Sequence, residues 1–126
     1  MAEMLVTITR VREVIGAADL RTDSDLPEAL SQRVQDLVSG AMERARENGR
    51  ATVRPEDVAG ARVSDATDLT VATRVQQVIR DADLRVDSTL VEAINGHVQA
   101  MLAEGMERAR ANGRSTVRPY DLPAIR

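Results

Sequence analysis

Cysteine, lysine, phenylalanine and tryptophan are all absent from this chain, which has a single tyrosine and a single histidine. The absence of cysteine excludes disulfides, thiol nucleophiles and sulfur-rich metal sites, and it fits a reducing compartment without proving one. Because large aromatic side chains are nearly missing, the core must be built from Val, Leu, Ile, Met and Ala. Such side chains suit packing between helices.

Long apolar runs are missing too. No stretch of the sequence approaches the length that spans a membrane. The first residues, Met1–Val6, do not form the basic region followed by an apolar run that begins a secretory signal. We therefore expect a soluble, cytoplasmic protein with no membrane partner.

Positive charge does not predominate. All 17 basic side chains are Arg, against 20 acidic side chains, and the formal net charge is -3. Neither half of the chain is basic overall, since Asp and Glu outnumber Arg in both. This balance argues against strong, indiscriminate binding of nucleic acid, which depends on neutralising many phosphates. It leaves room for a local basic ridge.

One small unit is written twice in the chain. Residues 5–58 recur at 69–122 with a constant offset and no gaps, and about thirty of the aligned positions are identical. A unit of this size is only marginally stable alone because it buries little surface, and two copies are too few for a solenoid. We place the first copy at residues 1–62, a linker at 63–68 and the second copy at 69–126, with the copies covering each other's apolar faces.

Each copy has the pattern of a short helix, a long helix and a short helix, so the predicted fold class is all-α. Apolar residues at helical spacing predict a first helix over about 7–18, and a broader apolar stripe predicts a long helix ending at Asn48-Gly49. Asp23 or Ser24 is placed to cap that long helix. Pro55 suits the first position of a short third helix. The same pattern recurs in the second copy, with Asp87 or Ser88, Asn112-Gly113 and Pro119 at the matching places.

The residues that catalysis or metal binding requires form no recognisable pattern. His97 is the only histidine, and Arg33 stands at its place in the first copy, so we expect it on a helix surface. Ser and Thr have no base beside them, the carboxylates sit where helix caps and solvated faces belong, and no glycine run is suited to cradle a phosphate. We expect no enzyme, no metal, no cofactor and no small-molecule substrate.

Short helix, loop, long helix, loop and short helix is the plan of the histone fold, and the match extends to residues. Residues 48–57 and 112–121 both read Asn-Gly-Arg-x-Thr-Val-Arg-Pro-x-Asp, which resembles the second loop and third helix of archaeal histones and related histone-fold subunits. The chain is also similar to single-chain bacterial and archaeal histone-fold proteins. The resemblance implies two tandem histone folds that form an intramolecular handshake pseudo-dimer, with the long helices crossing antiparallel.

The resemblance also implies an ion pair within each copy. In the family, an Arg of the second loop pairs with an Asp seven residues later. Arg50 with Asp57 and Arg114 with Asp121 keep that spacing. These residues are therefore expected to be structural clamps that pin the loop to the third helix, because an Arg–carboxylate contact can be bidentate.

A third implication concerns DNA. The handshake places residues 20–22 beside 115–117, and 84–86 beside 51–53. In DNA-wrapping histones these two loop pairs, and the paired N-termini of the first helices between them, touch the DNA backbone. Matched residue by residue, the DNA-binding candidates are Arg10, Arg21, Thr52, Arg54, Arg74, Arg85, Thr116 and Arg118.

The sequence departs from archaeal histones at places that leave the function open. Ala51 and Ser115 stand where those histones commonly carry Lys, and Pro123 follows Pro119 so closely that the last helix is limited to a turn or two. We favour a nucleoid-associated, histone-like protein that binds duplex DNA weakly and without sequence specificity. The alternatives are a histone-fold scaffold that binds another protein or itself with no DNA role, and a designed or reconstructed fusion.

Overall fold

The computed structural model describes residues 4–58 and 69–123, so the predicted linker at 63–68 lies outside the described residues. Four helices form most of the regular structure: α1 (Ile8–Ala17), α2 (Leu26–Glu47), α3 (Ala72–Asp81) and α4 (Leu90–Ala111). Each copy thus has a helix of 10 residues followed by one of 22 residues. Of these described helices, none is both long enough and apolar enough to cross a membrane.

The two copies are joined by short strands in their loops. These strands are β1 (Arg21–Thr22), β2 (Thr52–Val53), β3 (Arg85–Val86) and β4 (Thr116–Val117). Strand β1 pairs in parallel with β4, and β2 pairs in parallel with β3, so each pair takes one strand from each copy. The loop pairing that the resemblance implies is therefore confirmed.

A third contact between the copies lies just before the two short helices. Val6 and Thr70 form an isolated antiparallel bridge. The Thr7 backbone N–H donates to the Leu69 carbonyl at 2.8 Å, and the Val71 N–H donates to the Leu5 carbonyl at 2.8 Å. The N-termini of α1 and α3 are thereby held close together.

The hydrophobic core runs along the long helices and is aliphatic throughout. Residues from both copies contribute to one continuous cluster, and α2 packs against α4, while α3 packs against both long helices. The most deeply buried side chains include Leu26, Leu30, Val34, Leu90, Ile94, Val98 and Leu102 from the long helices and Val11, Ile15, Val75 and Ile79 from the short ones. Because this cluster spans both copies, neither copy holds a complete core.

Two polar side chains interrupt the apolar stripes of the long helices at matching positions. Ser31 Oγ accepts a hydrogen bond from the Leu5 backbone N–H at 2.8 Å, and Asn95 Oδ1 accepts one from the Leu69 N–H at 2.6 Å. All of these groups are buried, and an unsatisfied buried donor costs about 1–3 kcal/mol. Ser31 and Asn95 therefore stabilise the segments that precede α1 and α3.

The long helices begin later than the predicted caps imply. Helix α2 begins at Leu26, and Asp23 Oδ1 accepts from the Asp25 backbone N–H at 2.9 Å. In the second copy Asp87 Oδ1 accepts from the Thr89 N–H at 2.9 Å in the same way. The prediction of helix caps here was wrong, because these carboxylates order the turn before the helix.

The C-terminal ends of the long helices are as predicted. Gly49 and Gly113 directly follow the C-capping Asn residues, and each has a φ of 68°. This left-handed conformation strains a residue with a Cβ, so Gly is favoured after the last helical turn.

The third helix of each copy is reduced to a single 3-10 turn, Pro55–Asp57 and Pro119–Asp121. Proline occupies the first position, as predicted, but the expected short α-helix is wrong within the described residues. In the second copy Leu122 is extended, with φ -73° and ψ 141°, directly before Pro123. A residue that precedes proline is disfavoured in the helical region, so the turn cannot propagate.

His97 differs from its predicted surface position. Its side chain is half-buried on α4, and its Nδ1 atom is buried with no hydrogen-bond partner. Arg33, at the matching place on α2, donates from Nε to the Pro123 carbonyl at 2.8 Å. Arg33 thus holds the end of the second copy against the first copy's long helix.

Candidate nucleic-acid interface

Four of the predicted DNA-binding residues form two Arg–Thr pairs. Arg21 is opposite Thr116 in the β1–β4 pair, and Arg85 is opposite Thr52 in the β2–β3 pair. The backbone N–H groups of both arginines donate to carbonyls of the facing loops at 2.7 Å. The arginine side chains are exposed and the threonines are half-buried. Each loop pair therefore places one Arg opposite one Thr, each from a different copy.

Arg54 and Arg118 directly follow strands β2 and β4, and both are exposed. The structure thus brings Arg54 to the loop pair that contains Arg85, and Arg118 to the one that contains Arg21. The Arg54 Nη1 atom lies 3.7 Å from Glu56 Oε1, and both side chains are at least half exposed. Each loop pair carries at least two exposed arginines.

Arg10 and Arg74 lie in the first turns of α1 and α3. Arg10 Nη1 is 3.5 Å from Glu13 Oε2, and Arg74 Nη1 donates to the Met4 carbonyl at 2.8 Å. Neither first turn contains an acidic residue. Because the positive ends of two helix dipoles meet here beside these arginines, this place favours an anion.

The two expected ion pairs are present in the structure with bidentate geometry. Arg50 donates from Nη1 to Asp57 Oδ2 at 2.8 Å and from Nη2 to Oδ1 at 2.6 Å. The corresponding distances between Arg114 and Asp121 are 2.7 and 2.6 Å. The Asp side chains are only 3% and 2% exposed, whereas the arginines are 23% and 22% exposed. Each pair is therefore largely shielded from water.

Further hydrogen bonds connect these pairs to the loops. Asp57 Oδ2 accepts from the Arg54 backbone N–H at 2.8 Å, and Arg50 Nη1 donates to the Thr52 carbonyl at 3.2 Å. The second copy repeats both contacts through Asp121 and Arg114. The strand that carries each candidate Thr is thus tied to the 3-10 turn that follows it.

The guanidinium groups lower the pKa of both carboxyls. The hydrogen bond from Arg50 is the largest cause for Asp57, and the Arg54 backbone N–H adds to it, while burial opposes the shift. Arg114 and Arg118 lower the pKa of Asp121 in the same way. Both carboxyls are therefore held in the ionised form that accepts the Arg hydrogen bonds.

This shift predicts loss of stability in acid. A depressed carboxyl pKa contributes stability that is fully present above the ordinary Asp pKa of about 4 and is lost as the pH falls through the lower folded value. We expect the thermal midpoint of the parent to fall steadily below about pH 4. The Asp57→Asn, Asp121→Asn double variant should start lower and change less, and Asp36→Asn, on the exposed face of α2, should follow the parent. Parallel profiles for parent and double variant would contradict this account.

Two arginine pairs outside the predicted set also join the elements. Arg44 and Arg108 donate to the carbonyls of Asp57 and Asp121 at 2.7 and 3.0 Å. Arg46 and Arg110 donate across the copies to the carbonyls that end α3 and α1, Ala82 at 3.3 Å and Ala18 at 2.8 Å. The repeated Glu-Arg-Ala-Arg was the only sequence signal for these residues. Their acceptors are tertiary, so helical periodicity could not reveal them.

Comparison with known proteins supports a fold assignment. No protein-family model matches the chain, and no curated protein matches it either. A solved structure, the histone from Methanopyrus kandleri, is similar to this chain with a TM-score of 0.64 and 21% sequence identity, covering 90% of this chain and 86% of that one. At this level of identity the likeness bears on the fold alone. The chain has the histone fold.

Proposed function

We propose that this chain is a histone-like, nucleoid-associated protein of the cytoplasm that binds the backbone of duplex DNA weakly and without sequence specificity. The observation that carries the proposal is the pairing of Arg21 with Thr116 and of Arg85 with Thr52, together with the pairing of the two helix N-termini. The proposal involves no catalysis, metal or cofactor.

The proposal includes an architecture in which two tandem histone folds, residues 1–62 and 69–126, form an intramolecular handshake pseudo-dimer. Three contacts support it: β1 with β4, β2 with β3, and the antiparallel bridge between Val6 and Thr70. In the first contact, the first loop of the first copy pairs with the second loop of the second copy, and in the second contact this is reversed. In the third contact the two copies contribute matching residues. That is the arrangement expected of two copies related by a two-fold axis.

The donors at this surface suit phosphates better than base edges. They comprise guanidinium groups, hydroxyls and helix N-termini, which are the groups that commonly contact DNA phosphate oxygens. They lie in loops and first helical turns rather than along one exposed helix that would fill a major groove. Binding through such donors fixes the protein on the duplex without reading sequence.

Charge limits the strength of this binding. The chain carries 20 acidic residues against 17 arginines. Ala51 and Ser115, both exposed beside the candidate threonines, add no positive charge. Affinity should therefore rest on a handful of phosphate contacts and fall steeply with salt.

A titration against DNA tests the proposal. Fluorescence anisotropy with two labelled duplexes of unrelated sequence should show equal, micromolar-range binding in low salt, and most of it should be lost at moderate salt. Equal affinity for the two duplexes is the control for sequence indifference. If neither duplex is bound at micromolar protein, the DNA role fails.

A scaffold function is the second candidate, favoured by the excess of acidic residues over arginine. A histone fold that binds another protein or itself needs no cationic edge. Sedimentation equilibrium separates the two candidates. Concentration-dependent assembly, together with no binding of DNA, would favour the scaffold function.

Cutting the linker tests the handshake. A protease site introduced into residues 63–68 should allow cleavage without separating the copies, because the core and all three contacts cross between them. We expect the two fragments to elute together by size exclusion and to separate only in denaturant, with uncut protein as the control. Fragments that separate in native buffer while staying folded would contradict the handshake.

A further inference from the structure

The two loop pairs differ in charge in the turn that follows each of them. We call the surface of β1, β4 and the turn Pro119–Asp121 the β1–β4 end, and the surface of β2, β3 and the turn Pro55–Asp57 the β2–β3 end. The middle residue of the turn is Glu56 at the β2–β3 end and Tyr120 at the β1–β4 end. Both residues are exposed.

At the β2–β3 end, Arg54 is partly neutralised. Its Nη1 atom lies 3.7 Å from Glu56 Oε1. Asp87, from the facing copy, is close enough for the charge of Arg54 to contribute to its lowered pKa, after the larger effects of hydrogen bonds from the Thr89 backbone N–H and hydroxyl. A phosphate that approaches Arg54 must compete with these carboxylates. Asp23 stands at the place of Asp87 in the β1–β4 end, so Asp87 does not distinguish the two ends.

At the β1–β4 end, the middle residue of the turn offers Arg118 no carboxylate. Position 120 is a tyrosine, 65% exposed, and the Arg114 guanidinium lies 4.9 Å from the centre of its ring. This cation–π contact holds the ring against the ion pair of Arg114 and Asp121. Within residues 4–58 and 69–123, the structure places no carboxylate in an ion pair with Arg118.

One acidic residue adds negative charge to the β1–β4 end instead. Asp25 belongs to the β1–β4 end, whereas Thr89 stands at the matching place. Asp25 directly precedes α2, where the positive end of the helix dipole offsets its charge. It makes no ion pair in the described part of the chain.

Resting on the proposed function, we propose that the β1–β4 end is the stronger of the two phosphate-binding ends, and that residues 56 and 120 set the difference. Among the described residues, a phosphate at the β1–β4 end meets Arg118 without breaking an ion pair. At the β2–β3 end it must disrupt the Arg54–Glu56 pair. Exposed ion pairs of this kind correspond to about a one-and-a-half- to fivefold effect on affinity.

Four variants test the difference by DNA anisotropy across a salt series. Arg118→Gln should weaken binding and lower the salt slope by about one, whereas Arg54→Gln should cost less on both measures. Glu56→Gln should tighten binding about two- to fivefold, because it releases Arg54. Tyr120→Glu should weaken binding. In the Tyr120→Glu protein, Arg54→Gln and Arg118→Gln should reduce the affinity by similar amounts. Tyr120→Phe is the matched control and should bind like the parent.

The outcomes separate this inference from the proposed function. If the parent binds DNA but Arg54→Gln and Arg118→Gln cost the same, or Glu56→Gln has no effect, the inference is overturned while the DNA role stands. If Tyr120→Phe weakens binding as much as Tyr120→Glu, the hydroxyl matters rather than the missing charge, and the inference also fails. If Tyr120→Glu changes the molecular mass of the assembly in sedimentation but leaves DNA affinity unchanged, Tyr120 contacts protein, and the inference is overturned. If the parent binds no DNA, both proposals fail. Thermal melts verify that each variant is folded.

Discussion

We expect that replacing Arg50 and Arg114 together with alanine lowers the free energy of unfolding by several kcal/mol in the absence of DNA. Each substitution leaves a carboxylate, Asp57 or Asp121, that is at most 3% exposed and retains one backbone hydrogen bond. The expected cost per site lies between the ~1–3 kcal/mol of an unsatisfied buried polar group and the ~3–5 kcal/mol of a broken buried ion pair. The sites lie in different copies and share no residue, so the costs should add.

Urea unfolding followed by circular dichroism measures this loss. Arg12→Ala, which removes an exposed arginine from α1, should change the midpoint little. Arg50→Lys should be more stable than Arg50→Ala but less stable than the parent, because a single ammonium cannot reproduce the two parallel hydrogen bonds. Unchanged midpoints for the double variant would mean that the ion pairs are not structural clamps.

We expect that replacing Arg21, Arg54, Arg85 and Arg118 with glutamine removes the proposed DNA binding. The four exposed side chains supply most of the positive charge at the two loop pairs. A hydrogen bond to a charged group is worth about 1.5–3 kcal/mol, so the loss approaches the whole free energy of a micromolar complex, about 8 kcal/mol. The double variant of Arg54 and Arg118 should retain weak binding, with the salt slope lowered by up to about two.

A charge-matched control separates local contact from net charge. Ser39 and Ala103 are exposed at matching places on α2 and α4, away from the loop pairs. Changing both to glutamate shifts the net charge by the same amount as the Arg54, Arg118 double variant. That control should bind nearly as well as the parent. Equal losses in the two proteins would mean that only overall charge matters.

Most of the fold could be predicted because its signals are local. The apolar stripes indicated α1 to α4, and the Asn-Gly pairs marked the ends of α2 and α4 at Gly49 and Gly113. The predictions that were wrong concerned element boundaries, which depend on tertiary context or on single backbone angles. In the second copy the third helix stops after one turn because Leu122 is extended before Pro123, and the two long helices begin after an Asp-stabilised turn.

The candidate surface was predicted from family resemblance rather than from periodicity. Alternation and spacing alone do not place Arg21 opposite Thr116, because that pairing joins residues from different copies. The Arg46 contact with the Ala82 carbonyl and the Arg74 contact with Met4 also join different copies, so the sequence pattern did not predict them. The pairing of the loops is a structural fact, while the DNA contact of the named residues stays a prediction.

Chemical-shift mapping by nuclear magnetic resonance tests the central proposal most directly. Adding a short duplex in low salt to the isotope-labelled protein should perturb backbone amides of residues 21–23, 52–54, 85–87 and 116–118, together with the starts of α1 and α3. The exposed faces of α2 and α4, around Ser39 and Ala103, should not shift. No perturbation at saturating duplex, or perturbation confined to those helix faces, would contradict the proposed DNA-binding surface.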